Sequence, residues 1–426
     1  LALSLAALGD AGLTLWTQQQ IVLRPNRMSK LVSTTTVVQL GAALTVVALT
    51  ASLSLVSTFP PGTPKFLLLA SPFAITQAFS LHYVLQAFER MRAVATTLIV
   101  AQVFSAASTI LLVVFTHDAA WVAVNYWSGW VIGDLLVIFL LRRQHGLRAI
   151  AVSVGEVVST FKSGLPLLSG IALFYYINQI DTVIVGALLD ARTVGQYSAA
   201  FRLAIAAYLF VLVLARAANP EMVRRFAEGL ERFESFVRTL LRMSARVTLA
   251  AAAIIIVEAP AFVSLIYGGQ YARSADLLRI FVLLVPIGWH AYLVSQALVA
   301  AGERSLIMRA YGIAAIFTTL ATPSAVLLFG VIGAATAVVA TALLLAGVMT
   351  ELARRHIGAR LHGAPARELA YGVVPLVALL ALNTVVPNAS LATAITVWLV
   401  AVIGVEVGAD LPTVGFLRSV RSVRAH

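Results

Sequence analysis

Thirteen stretches of this chain are apolar over about 20 residues each. They are long enough, or nearly so, to cross roughly 30 Å of hydrocarbon at about 1.5 Å per residue. They lie near 1–23, 32–56, 66–87, 93–115, 120–141, 166–189, 195–217, 244–266, 275–299, 307–329, 331–350, 370–387 and 391–408. The pair meeting at Gly330 reads as two spans or as one kinked unit. In lipid every backbone polar group must be satisfied within the structure, which leaves helices or a closed barrel. No alternating-period strands are present to build a barrel. Composition agrees, with 60% hydrophobic and 11% charged residues, where a soluble domain carries about 25% charged. A soluble enzyme, a nucleic-acid-binding protein and a disordered chain are therefore poor readings. The expected fold is an all-α polytopic membrane protein of about 13 transmembrane helices. With no cysteine, it has no disulfide, thiol nucleophile or cysteine metal site.

The connecting segments alternate in charge. Twenty-five of the 30 basic residues fall in one set, from Arg24, Arg27 and Lys30 through Arg142, Arg143 and Arg148 to Arg418, Arg421 and Arg424. The positive-inside bias places that set, and the C-terminus, in the cytoplasm. Leu1 is then outside, and an intact chain of fourteen spans with one earlier helix is expected. The expected organisation is an N-terminal lobe over 1–150 with its first helix missing, and a six-helix lobe over 151–352. A further helix pair over 370–408 and a basic cytoplasmic tail over 409–426 follow.

The inner segment 219–243 has helical periodicity. Met222, Phe226, Leu230, Phe233, Val237 and Leu241 form one stripe. Glu221–Arg225, Glu228–Arg232 and Glu234–Arg238 are i,i+4 pairs in the favourable order. The segment is either an interfacial amphipathic helix or a cytoplasmic extension of the eighth span.

The sequence has no phosphate-binding glycine loop ending in Lys-Ser or Lys-Thr, no His-Glu-x-x-His and no Gly-x-Ser-x-Gly. His82 and His290 lie within spans without a His, Asp or Glu at i+3 or i+4, so they read as hydrogen-bonded helix contacts rather than zinc ligands. No cofactor, metal or nucleic-acid partner is expected. The acidic pair or large outer loop of a membrane enzyme is absent, and transport remains by elimination.

A charge inside hydrocarbon is retained where it faces a cavity or a partner. The sixth span carries Tyr175, Tyr176, Asn178, Gln179, Asp181 and Thr182. Tyr175, Asn178 and Asp181 are spaced i,i+3 and share a face. The seventh span carries Tyr197, Arg202 and Arg216. Across a tight outer turn, Asp181 and Arg202 are expected within ion-pair or water-bridged reach, lining a cavity. A purely structural pair between the helices is the alternative. The first span has a polar stripe of Asp10, Thr14, Thr17, Gln20 and Arg24, although Arg24 alone reads equally as a boundary cation. Asp134 follows Gly129 and Gly133, a small-xxx-small spacing for close helix contact, and reads as structural. Glu258 and Glu406 are weak candidates for ion coupling, as is Asp181.

LGDAGLTLWTQQQI at 8–21, GLPLLSGIALFYYINQIDTVIVGALLDARTVGQYSAAFRLA at 164–204 and IYGGQYARSADLLRIF at 266–281 occur in an order and spacing that resemble the polysaccharide transporter family. LVAAGERS at 298–305 and LLFGVIGAATAVVATAL at 327–343 extend the match. That family comprises O-antigen and lipid-linked oligosaccharide flippases, in the superfamily of multidrug extruders and the lipid II flippase. The resemblance implies two six-helix lobes around a central cavity that opens alternately to either side. It implies undecaprenyl-diphosphate-linked glycans as substrates and places Asp181 and Arg202 on cavity-facing helices. Arg202, then Arg24 and Arg216, would contact the diphosphate. The departure from that pattern is the small number of intramembrane cations.

The expected function is a bacterial plasma-membrane flippase for a lipid-linked oligosaccharide. Membrane lipid and the glycan carrier are its expected partners, with a polysaccharide polymerase and glycosyltransferases beside it. The rival readings are a multidrug-type exporter of organic cations, a membrane glycosyltransferase or polymerase, and a scaffold for envelope assembly.

Overall fold

A computed structural model describes residues 13–54, 63–358, 366–386 and 391–407. Among these residues all regular elements are helical. They are α1 (Leu13–Leu23), α2 (Met28–Ser54), α3 (Thr63–Ala70), α4 (Pro72–Ala78), α5 (His82–Ala87), α6 (Met91–Thr116), α7 (Ser128–His145) and α8 (Val154–Leu188). The series continues with α9 (Ala191–Glu228), α10 (Leu230–Tyr267), α11 (Ser274–Phe281), α12 (Leu284–Ala300), α13 (Arg304–Ile357), α14 (Ala366–Val385) and α15 (Leu391–Val407). Among the described residues seven helical segments are long and apolar enough to cross a membrane, and shorter apolar helices lie at Ala172–Leu188, Val373–Thr384 and Thr393–Val405. The chain is a multi-pass, all-α membrane protein. Asp10, residues 55–62 and residues 409–426 lie outside the described residues.

Local chemistry breaks two of the apolar stretches and separates two others. The third is divided into α3, α4 and α5, with Pro72 opening α4. The ninth is divided into α11 and α12. In α13 the backbone leaves helical geometry at Gly330, with φ 60° and ψ −143°, a conformation reserved for glycine. A Cβ at Gly333 would lie 1.9 Å from the Ala325 carbonyl oxygen, so the chain folds back on itself there. The pair meeting at Gly330 is thus two helices.

The chain divides into two compact units between Gln179 and Ile180, inside α8. In the first, Ile21, Met28, Val84, Leu85, Val137 and Leu141 share one buried cluster. Gly129 and Gly133 bring α7 against α6: a Cβ at Gly129 would sit 2.1 Å from the Ala101 carbonyl oxygen. The outer side of α6 bears Ile99, Val103, Ile110 and Phe115, an exposed apolar face of the kind lipid covers.

In the second unit Met222, Phe233, Val237 and Leu241 are buried against Trp289, Leu293 and Leu306. The stripe of segment 219–243 therefore packs on protein, and Gly229, at φ 130°, divides the segment: residues to Glu228 extend α9, and those from Leu230 extend the eighth span as the start of α10. All three expected ion pairs form, Glu221–Arg225 at 2.7 Å, Glu228–Arg232 at 3.3 Å and Glu234–Arg238 at 3.1 Å. The guanidinium groups of Arg224 and Arg225 hold the Glu221 carboxyl below its ordinary range.

The appended helices are fastened to α10. Arg246 lies over the Tyr371 ring at 5.1 Å. Leu379 and Ala394 are buried against Ile254 and Val257, and the Trp398 indole donates to the Ala250 carbonyl at 2.6 Å. Trp398→Phe removes that hydrogen bond while keeping the ring. It should lower unfolding stability by about 1 kcal/mol, read as a drop in detergent melting temperature with an unchanged elution profile.

Candidate functional site

Asp181 occupies the second unit, where α8 and α9 form a hairpin. The turn is fixed by Asp190. Its Oδ1 accepts from the Thr193 backbone N–H at 2.9 Å and its Oδ2 from the Thr193 hydroxyl at 2.7 Å. These bonds favour the anion and hold the Asp190 carboxyl below the usual range. Asp181 lies seven residues before the end of α8 and Tyr197 six residues after the start of α9, which brings them to one level.

The Tyr197 hydroxyl donates to Asp181 Oδ2 at 2.6 Å. Both residues are buried, at 1% and 0% exposure. Tyr197 is held edge-on by Phe281 at 5.0 Å, and Phe281 also meets Phe201 at 5.3 Å. Ser274 of α11 donates to the Gln196 carbonyl at 2.9 Å, tying the same turn of α9 to its neighbour. Asp181 Oδ1 has no hydrogen-bond partner among the described residues.

No ion pair joins Asp181 and Arg202 among the described residues; the carboxyl is engaged by Tyr197 instead. Arg202 is exposed on α9. Five residues separate it from Tyr197, which turns it about 140° around the helix and about 7 Å along the axis. The face of α9 that meets Asp181 carries Tyr197, Ala200 and Ala204, all buried. Azimuth around α9 is what separates Arg202 from Tyr197.

The remaining expected residues distribute as follows. Tyr175, Asn178 and Gln179 belong to the first unit. Tyr175 is exposed, and the Asn178 amide donates to the Phe174 carbonyl of its own helix at 2.8 Å. In the first span, Thr17 bonds Thr35 of α2 through their hydroxyls at 2.6 Å, so the stripe faces protein there. Gln20 is partly buried and Arg24 exposed. Glu258 is buried on α10. The side chains of Arg216 and Glu406 lie outside the described residues.

The first unit contains a pairing that the sequence did not reveal. His82 Nδ1 of α5 lies 3.5 Å from Asp134 Oδ1 of α7, with both side chains under one-tenth exposed. Ser80 Oγ is 3.2 Å from the same nitrogen, and Trp130 meets the imidazole edge-on at 5.7 Å. The Gly129–Gly133 spacing announced close helix packing at Asp134. Nothing local connects it to a histidine 52 positions earlier in a short, broken helix.

A family model described as polysaccharide biosynthesis protein matches residues 4–276. No curated protein sequence matches the chain. Among solved structures it is similar to the lipid II flippase MurJ in an inward closed conformation. The TM-score is 0.76 at 11% identity, covering 95% of this chain and 88% of that one. It is also similar to a multidrug resistance MATE family transporter of the MOP superfamily. The inward-facing form has TM-score 0.69 at 15% identity, covering 84% of this chain and 88% of that chain. An outward-facing form has TM-score 0.60 at 14% identity, covering 85% and 86% respectively. At these identities the likeness is one of fold.

Proposed function

The chain belongs to the polysaccharide biosynthesis protein family, and from that premise we propose that it is a transporter, a flippase for a lipid-linked oligosaccharide. The substrate class is an undecaprenyl-diphosphate-type carrier bearing a glycan destined for the cell surface. The protein works in a bacterial plasma membrane with its C-terminus in the cytoplasm, exposing its binding site alternately to the two sides. The observation that carries this reading is a lipid II flippase fold over nearly the whole chain within a family of polysaccharide biosynthesis.

Arg202 is the proposed diphosphate contact. It is exposed, eleven residues into α9, and no ion pair engages it among the described residues. A guanidinium at that depth needs water or an anion, and its fork matches phosphate oxygens. Arg216 is a secondary cation in the second unit; in the first unit Arg24 is the candidate cation, and Gln20, Tyr175, Asn178 and Gln179 are candidate glycan contacts. Glu258 and Glu406 are candidates for ion coupling. Asp181 serves as the buried acid that fixes α8 against α9.

A strain deleted for the gene should lose its surface glycan and accumulate the lipid-linked precursor on the inner leaflet, and the intact gene should restore export. Arg202→Ala should reduce restored export about tenfold or more at unchanged membrane abundance. Full surface glycan in the deletion strain overturns the reading. A second reading, an exporter of organic cations, is favoured by the exposed aromatic run Phe174, Tyr175 and Tyr176 and by the multidrug-transporter fold. Drug sensitivity of the deletion strain with intact surface glycan selects it.

A further inference from the structure

His82 and Asp134 meet in the interior of the first unit, where α5 and α7 pack with α6. The Nδ1···Oδ1 distance of 3.5 Å is within ion-pair range but long for a formed hydrogen bond. Neither Asp134 oxygen accepts a hydrogen bond from a described residue, and His82 Nε2 has no partner among them. A Cβ at Gly133 would stand 3.0 Å from the Ala101 side chain and 3.9 Å from the imidazole Cε1, so the backbone of α7 passes close beside the ring. The imidazole is thus enclosed by Trp130, Gly133 and Ser80, none of which carries charge.

The surrounding elements offer little else that titrates. α1 and α4 carry no charged or titratable side chain. On α5 the other titratable group is Tyr83, and on α6 it is Arg92, one residue from the helix start. On α7, Arg142, Arg143 and His145 lie eight or more residues beyond Asp134, about 12 Å along the axis. The turn preceding α7 holds Tyr126, whose side chain lies outside the described residues.

We propose that His82 and Asp134 form a proton-binding site that holds one shared proton while buried and exchanges it only when water reaches it. With that proton the pair is neutral in two forms, a carboxylic acid facing a neutral imidazole, or a carboxylate facing an imidazolium. Passing between them moves the proton from Oδ1 to Nδ1 with no change in net charge. Removing it leaves an uncompensated buried carboxylate, and adding a second leaves an uncompensated imidazolium. Both are strongly disfavoured away from water. Loading and unloading therefore require the first unit to open. An opening that the transport cycle supplies ties proton exchange to that cycle, and this last step rests on the transport reading above. The proton site itself does not.

The test uses the full chain in phosphatidylethanolamine–phosphatidylglycerol vesicles, with infrared difference spectra recorded through a pH titration. The expected result is a protonated-carboxyl carbonyl band that disappears in Asp134→Asn. In His82→Gln its titration midpoint should move by about one pH unit or more. Thermal melting verifies that each variant is folded. If Asp134→Asn does not fold, Asp134→Glu should displace the band in frequency. A band unchanged in the Asn or Glu variant overturns the proposal, as does a midpoint indifferent to His82. A band that behaves as expected in a protein whose deletion leaves surface glycan intact sustains the proton site and overturns the flippase reading alone.

Discussion

Gly129→Leu should abolish folding of the first unit, seen as loss of a monodisperse detergent-solubilised species, whereas Gly41→Leu should leave it intact. The difference lies in what surrounds each backbone. At Gly129 the first added carbon would already be 2.1 Å from the Ala101 carbonyl oxygen and 2.7 Å from Ser105 Cβ. No rotamer relieves a clash made by Cβ itself, so α7 must move away from α6. That movement would disturb the hydrogen bonds from Ser105 Oγ to the Asn125 carbonyl at 2.7 Å and between the Ser108 and Ser128 hydroxyls at 2.9 Å. Overpacking a fitted interface costs about 1–3 kcal/mol or more, and here several bonds are lost with it. At Gly41 nothing lies within 4 Å of an added Cβ. Equal behaviour of the two variants would show that the α6–α7 contact does not constrain the unit.

Tyr197→Phe should destabilise the second unit by about 1–3 kcal/mol, whereas Asp181→Asn should cost less. In the first variant a carboxyl group at 1% exposure loses the hydroxyl that donates to it at 2.6 Å, and its other oxygen already lacks a hydrogen-bond partner among the described residues. In the second the amide oxygen still accepts from Tyr197, so the bond between α8 and α9 is kept. Thermal melting of the two proteins in one detergent decides the order. If the Asn variant is the weaker, Asp181 is needed as an anion, and its role is more than holding α9. Surface-glycan export measured on both variants then separates packing from transport.

Much of the architecture was legible because the bilayer makes it so. A run such as 93–115 has few ways to satisfy its backbone in lipid, and α6 occupies it almost end to end. The three glutamate–arginine pairs of 221–238 could also be read directly, since i,i+4 spacing needs no tertiary knowledge, although Gly229 ends α9 and starts α10 between them. Whether the segment lay on lipid or on protein could not be read, because Phe233 and Val237 would be buried by either.

The site was legible residue by residue but not as a set of contacts. Asp181 is conspicuous as an intramembrane acid, and Tyr197 lies on the next span, but opposite charge points to Arg202. The geometry instead follows the hairpin register fixed at Asp190, which levels Asp181 with Tyr197. The His82–Asp134 contact depends on where three short helices and two glycines bring the chain, information held in packing rather than in any local pattern.

Gly330 has a further consequence for how the protein enters its membrane. As a single rod, the 54 residues of α13 would extend about 80 Å, well over twice the hydrocarbon thickness. The reversal instead leaves basic groups, Arg309 at one end and Arg354 and Arg355 at the other, with Leu327, Leu328 and Phe329 exposed at its tip. No polar loop has to be dragged through oil. The two halves can slide in together as one greasy wedge, charged feet left behind, in a single step of biogenesis.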